Sequence, residues 1–334
     1  MFNKEIYIIA EVGSNHLGNK KIAKESLFQA KRAGADCVKF QLFDENNLVS
    51  KNLKTYKHVQ DKKIKYQHER FKKVKISLEY LKTLSNLAKK VGIDFSVTPF
   101  DPSYVQSIKK YVKFFKVASG DINNIPLLTE IRKTKKTVVV STGMATAAEI
   151  KRISNFFPKN KLVLLHCISS YPTDPNDANL INIRHLKNYN VETGYSDHTP
   201  GIDVATKSVF FGAQVLEKHF LPINSKRAGD YSLSINEKNF KIMVKKIKQN
   251  LNIIGTVREK EYPCETYFKK TLRRSLYFSK NLKKNYKLKY LDISFLRPYN
   301  KSGIDLKDYS KFVGRKLKSN VKKNQLIIKN NFKK

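Results

Sequence analysis

Eight short runs of β-branched and aromatic residues recur along the first two thirds of the chain, each separated from the next by a segment with helical spacing. The runs are EIYIIA (5–10), DCVKF (36–40), IDFSV (93–97), KFFKVA (113–118), TVVVS (137–141), KLVLLH (161–166), VETGY (191–195) and QVLEKHF (214–220), and each ends in polar residues or glycine. Between them, NKKIAKESLFQAKRAG carries apolar or small residues at 22, 23, 27, 30 and 33. SLEYLKTLSNLAKKVG carries leucine at 78, 81, 84 and 87, and both segments close on glycine. Strand–helix alternation demands a parallel sheet covered on both faces. Eight such units close most simply into an α/β (β/α)8 TIM barrel, whose chemistry sits where the C-terminal strand ends meet the following loops. A doubly wound open sheet is the alternative, but no GxGxxG follows any run, so dinucleotide binding finds no support.

After NEKNFKIMVKKIKQNLNIIG (236–255) the alternation stops, and RRSLYFS, LDISFLRP, GRKL and QLIIK read as short strands between lysine, glycine and asparagine turns. The expected organisation of the 334 residues is a barrel domain over 1–262, a linker over 263–270 and a small β-rich domain over 271–334. The lysine-rich stretch from Ser50 to Ser77 is long for a strand-to-helix connection, which marks it as a functional lid or a disordered insertion.

A formal charge of +38 raises nucleic-acid binding as a function. Two features argue against it: 55 of the 66 basic residues are lysine rather than the forked arginine that reads bases, and they are spread along the whole chain. The same positive field would gather small anionic substrates. No apolar run approaches the roughly 20 residues that span a bilayer, and the N-terminus lacks a signal-peptide core, so a soluble cytoplasmic protein with no membrane partner is expected. Cys37, Cys167 and Cys264 have no paired metal-type spacing, and buried free thiols in a reducing compartment are expected.

If the runs close into a barrel, the polar residues at their ends converge on one cavity. After the first run stand Glu11, Asn15 and His16; then come Lys39 and Gln41; Thr98, Pro99 and Phe100; Lys116, Ser119 and Asp121; Ser141, Thr142 and Gly143; His166, Ser169 and Tyr171; Ser196, Asp197 and His198; and Glu217, Lys218 and His219. Two subsets carry chemistry. Glu11, His198 and His219 lie on strands that are neighbours in a closed barrel, and two imidazoles with a carboxylate suit a divalent metal with open positions; Mn2+ fits such a site. A hydrogen-bonded structural role is the alternative for either histidine. Lys39, Lys116, Ser119, Ser141 and Ser169, with the backbone amides after STGM, are what a phosphate-and-carboxylate ligand needs. Lys39 and Lys116 lie inside apolar runs whose alternation turns them inward, and a Schiff-base lysine stays open for either.

With these residues in view, the chain resembles the sialic acid synthase (N-acetylneuraminate synthase) family. IAEVGSNHLG, VKFQ, TPFD, FFKVASGD, STGM, LLHCISSYPT, GYSDHTPG and LEKHF match its pattern in order from Ile9 to Phe220, and the tail from about 271, with RRSLY and LRP, resembles its antifreeze-like SAF domain. The resemblance implies a transferase that condenses phosphoenolpyruvate with N-acetylmannosamine or a related N-acylated amino sugar and releases phosphate. It implies a divalent ion, Mn2+ foremost with Mg2+ or Co2+ as alternatives, held by His198 and His219, with Glu11 nearby for metal-bound water or the sugar. It puts Lys39, Lys116, Ser119, Ser141, Ser169, Tyr171 and Ser196 at phosphoenolpyruvate, Gln41 and Asp121 at the substrates, and Asp230 at the sugar. Arg297 corresponds to an arginine that reaches the partner's barrel in the family's domain-swapped homodimer.

Three departures fall on the acceptor side: Asp121 stands where many members have glutamate, Ala228 replaces a proline context before Asp230, and RPYNKSGI lengthens the turn after Arg297. They leave the reaction type intact and the sugar open. The rival readings are a barrel synthase of 3-deoxy sugar acids acting on phosphorylated sugars, and a catalytically inactive sugar- or nucleic-acid-binding relative.

Overall fold

The computed structural model describes residues 5–56, 64–225 and 229–333. It divides into two compact units, Met1–Gly255 and Thr256–Lys334. In the first unit, β1 (Tyr7–Gly13), β2 (Cys37–Leu42), β3 (Asp94–Pro99), β4 (Phe115–Val117), β5 (Val138–Ser141), β6 (Leu162–His166), β7 (Glu192–Asp197) and β8 (Val215–His219) pair in sequence order, all parallel, and β8 closes on β1. This is a TIM barrel. Its helices form where the leucine and alanine spacing predicts them. Asn19 caps Lys20–Arg32 by accepting from the Lys21 and Ile22 amides, and Ser77 caps Leu78–Val91, which stops at Gly92 in the left-handed region.

Alternation along each strand splits its side chains into two sets. Ile8, Ala10, Val38, Phe40, Leu164 and Leu216 face the helices in the main hydrophobic core. Tyr7, Ile9, Cys37, Phe114, Val139, Val163, Leu165 and Val215 form a separate apolar cluster inside the barrel. This plug fills the lower half of the lumen, each buried side chain contributing on the order of 1.5–3 kcal/mol. Directly above it, the next inward residues are polar: Glu11, Lys39, Lys116, Ser141, Ser196 and Glu217, all buried. The wall between β7 and β8 is drawn so close at Gly194 that a Cβ there would lie 2.0 Å from the Val215 carbonyl oxygen, which leaves glycine as the residue that fits.

The excursion between β2 and β3 contains helices Glu45–Leu48 and Gln67–Val74 and an isolated bridge between Lys54 and Tyr66. In the second unit, β9 (Ser275–Phe278) pairs antiparallel with β10 (Ile293–Leu296) over its own core of Leu276, Phe278, Leu282, Leu288, Leu317 and Ile327. GRKL and QLIIK, expected as strands, instead contribute single bridges through Lys316, Leu317 and Leu326. A unit this small alternates turns and 3-10 segments too quickly for long ladders to form. The segment 263–270, expected as a linker, holds a 3-10 turn, Pro263–Glu265, and the start of helix Thr266–Leu272. Cys37 and Cys167 are buried free thiols, and Cys264 is exposed. Among the described residues, no helix is long and apolar enough to cross a membrane.

Candidate active site

Above the apolar plug, two carboxylates and two ammonium groups share the lumen. Glu11 is the register partner of Lys39 across β1 and β2, and the Lys39 Nζ lies 2.6 Å from Glu11 Oε2 and 3.6 Å from Glu217 Oε2. Lys39 also donates to Thr98 Oγ1 at 3.0 Å, and Gln41 Nε2 donates to Glu11 Oε1 at 3.0 Å. Lys116 Nζ donates to Ser141 Oγ at 2.6 Å and stands 3.8 Å from Glu217 Oε1, which accepts from Ser196 Oγ at 3.0 Å.

Charges this deep persist only when paired. Burial pulls Lys39 down, but Glu11 and then Glu217 carry it above its ordinary value, so it stays an ammonium. Burial pulls Lys116 below its ordinary value, with Glu217 opposing. Burial would raise Glu217, yet Lys116 and Lys39 more than offset it and hold it low. Glu11 is pushed up by burial despite Lys39, and so holds a proton more tightly than an ordinary carboxyl group.

Beside this layer, the ends of β4, β5 and β6 meet around Gly143. Its amide donates to Ser119 Oγ at 3.0 Å, and that oxygen lies 3.1 Å from Cys167 Sγ. A Cβ at Gly143 would lie 2.3 Å from Ser169 Oγ, 2.8 Å from Cys167 Sγ and 2.9 Å from Ser119 Oγ. The three groups therefore crowd one point that only a glycine leaves open. Ser169 Oγ is buried without a hydrogen-bond partner among the described residues, a donor poised for a ligand oxygen.

His198 follows β7, and its Nδ1 donates to the Ile168 carbonyl at 2.7 Å, between Cys167 and Ser169 of that cradle. This bond fixes the tautomer and leaves Nε2 as the lone-pair donor. The His198 and His219 ring centroids are 5.4 Å apart, and Tyr171 packs on His198 at 4.3 Å. Two imidazoles sharing one ion at ordinary bond lengths have centroids roughly 5 Å apart, so the spacing of the pair fits a shared divalent metal. His219 Nδ1 is buried without a hydrogen bond among the described residues, 3.8 Å from Asp230 Oδ2. Among those residues, no group of three or more His, Cys, Asp or Glu is arranged to hold a metal. Glu11, expected to join the histidines, is the register partner of both Lys39 and His219, and its carboxylate turns to the opposite charge.

Burial holds His16, His166, His198 and His219 below the ordinary histidine value, His16 at about 4 and His219 at about 3. The unfolded chain then binds more protons below about pH 6.5, so stability falls as pH drops toward the folded values, by about 1.4 kcal/mol per pH unit for each histidine. Glu11 and Asp121, both raised by burial, act in the opposite sense, two groups against four. The midpoint of urea unfolding is expected to be clearly lower at pH 5 than at pH 7.5, and an equal or higher midpoint at pH 5 would refute the neutral, buried assignment.

Not every strand-end residue reaches the cavity. Asp197, Lys218 and His166 point through the wall to the helix side: Lys218 Nζ pairs with Asp197 Oδ2 at 2.7 Å, and His166 stacks on Tyr195 and bonds the Ala178 carbonyl. Asn15 bonds the Phe220 carbonyl and Ser234, and His16 accepts from the Gly18 amide. Period-two alternation separates Lys218 from its neighbours Glu217 and His219. Asp121 accepts from Asn124 in its own turn at 3.1 Å. Asp230 lies against Ser14, Arg70 and His219. Arg297 is exposed in the second unit, and Ala228 lies outside the described residues. Sequence reasoning gave no role to Glu217, the hub of the charged layer, although its place two residues before His219 on β8 signals an inward side chain. It passed over Ser14 and Arg70 as well, and nothing local marks them.

Known proteins resemble this chain in sequence and fold. The NeuB family pattern matches residues 27–259, and the SAF domain pattern matches residues 273–333. The N,N'-diacetyllegionaminic acid synthase of Campylobacter jejuni is 34% identical over 97% of this chain and 99% of its own length. The N-acetylneuraminate-9-phosphate synthase of Drosophila melanogaster is 30% identical over 97% of this chain and 95% of its own. A crystal structure of N-acetylneuraminic acid synthetase from Leptospira borgpetersenii, in complex with citrate, superposes with a TM-score of 0.70 at 30% identity over 80% of this chain and 90% of that one.

Proposed function

Because the chain belongs to the NeuB family of nonulosonic acid synthases and carries an SAF domain in its second unit, we propose that it condenses phosphoenolpyruvate with N-acetylmannosamine or a related N-acylated amino sugar and releases phosphate. The observation that carries this reading is the adjacency of an anion cradle to a two-imidazole site: the Ile168 carbonyl that orients His198 sits between Cys167 and Ser169.

Each group then has a task. Lys39 and Lys116 present ammonium groups, and Ser119, Ser141, Ser169 and the Gly143 amide present hydrogen-bond donors, to the phosphate and carboxylate of the donor substrate. Ionised Glu217 keeps both lysines oriented into the lumen and takes the Ser196 hydroxyl. A divalent ion held by His198 and His219, of which Mn2+ is the first choice and Mg2+ or Co2+ the alternatives, would supply Lewis acidity at the acceptor's aldehyde oxygen. Tyr171, packed on both imidazoles, excludes water from that side. Glu11, with its raised affinity for protons, moves the proton of the water that adds at C2 before phosphate departs. Gln41, bonded to Glu11, with Asp121 and Asp230, serves the acceptor, and Arg297 serves its N-acyl group from the partner subunit of a homodimer. Positioning and electrostatics supply most of the acceleration.

The test is phosphate release from phosphoenolpyruvate with N-acetylmannosamine and, separately, 2,4-diacetamido-trideoxy hexoses. Release with at least one sugar, abolished by chelator and restored by Mn2+, is expected. No release with any acceptor overturns the reading.

A further inference from the structure

The excursion between β2 and β3 delivers one arginine to the barrel mouth. Arg70 is buried, 6% exposed, on helix Gln67–Val74. Its Nη2 donates to Ser14 Oγ at 3.2 Å and stands 3.8 Å from Asp230 Oδ1, while Ser14 Oγ donates to Asp230 Oδ2 at 3.4 Å. The same Oδ2 lies 3.8 Å from His219 Nδ1. The guanidinium is also held over the rings of Tyr56 and Phe71, at 5.9 and 5.4 Å.

Two glycines show that this arm is built in rather than laid on. A Cβ at Gly18 would lie 2.3 Å from the Lys73 carbonyl oxygen, so the β1 loop admits the arginine-bearing helix only without a side chain there. A Cβ at Gly229 would lie 2.2 Å from Arg70 Nη2, so the residue before Asp230 leaves its space to the guanidinium.

Taking the synthase reading as its basis, we infer that Arg70 is a specificity-determining residue for the acceptor: the buried Arg70–Ser14–Asp230 chain makes an electroneutral donor–acceptor face that selects an uncharged amino sugar. A carboxylate held by a guanidinium and a hydroxyl is fixed in place, so it accepts from a sugar hydroxyl or amide, and the planar fork offers the matching donors. A phosphate ester at that face would bring a dianion against Asp230, a like-charge contact that works against binding.

The full-length protein, with Mn2+ and phosphoenolpyruvate, is assayed for phosphate release with N-acetylmannosamine, its 6-phosphate and the diacetamido hexoses, as wild type, Arg70→Met and Arg70→Lys. The wild type is expected to favour an unphosphorylated sugar in kcat/KM by about tenfold or more. Arg70→Met is expected to raise the acceptor KM by about tenfold while the phosphoenolpyruvate KM stays within about twofold, with Arg70→Lys intermediate because a point charge replaces a fork. A merely structural arginine would lower the melting temperature or kcat and leave both KM values alone, and that result overturns the inference, as does faster turnover of the phosphate ester. Wild-type protein silent with every sugar overturns the synthase reading beneath it, so the two failures are distinct.

Discussion

His198→Ala is expected to lower phosphate release by about a thousandfold or more, because the Lewis acidity that the imidazole pair would hold is worth several kcal/mol and each factor of ten in rate corresponds to about 1.4 kcal/mol. The substitution removes a lone-pair donor whose tautomer is fixed by the Ile168 carbonyl and whose ring packs on Tyr171. It also frees the cradle backbone between Cys167 and Ser169, so some loss of affinity for phosphoenolpyruvate accompanies the loss of metal. The two are separated by measuring Mn2+ binding and phosphoenolpyruvate binding independently. The assignment requires Mn2+ affinity to fall by about tenfold or more, on the scale of losing a ligand contact. A variant with wild-type Mn2+ affinity, or activity within tenfold of wild type, would return His198 to a purely structural role.

Lys218→Met is expected to destabilise the barrel by about 3–5 kcal/mol, because it leaves the Asp197 carboxylate uncompensated where neither side chain has any exposure. Lys218 also donates to the Thr199 carbonyl, and Asp197 Oδ1 accepts from the Thr199 amide and hydroxyl, so the pair pins the chain immediately after His198 to the residue immediately before His219. At 2–4 °C per kcal/mol for a unit of this size, the melting temperature should drop by roughly 10 °C. Adding Asp197→Asn removes the stranded charge while keeping an acceptor for Thr199, and the double variant should recover at least about half of the loss. Thermal unfolding followed by circular dichroism decides it: a single variant melting within a degree or two of wild type would mean that water or a rearranged neighbour solvates Asp197.

Much of the barrel could be read along the chain. Residues two apart on a strand share a face, so Lys39 in VKF and Lys116 in FFKVA announced inward ammonium groups, and the structure buries both beside carboxylates. The same rule, applied to LEKHF, separates Glu217 and His219 from Lys218, which a simple roll of strand-end polar residues does not. GRKL and QLIIK looked like strands by composition, but a ladder needs a partner of matching length, and in the small unit they find only isolated bridges, two for GRKL and one for QLIIK.

The sequence by itself determined the eightfold alternation, the closed parallel barrel that follows from it, the end at which chemistry gathers and the family to which the residues belong, because each is written in local periodicity and short ordered motifs. Only the tertiary structure decided which carboxylate answers which cation. Glu11 goes to Lys39 rather than to the histidines, Glu217 bridges two lysines from other strands, and Arg70 arrives from an excursion 160 residues away in sequence from Asp230. Those pairings are settled by distance and desolvation across the lumen, where a buried charge takes the nearest opposite charge whatever its position along the chain.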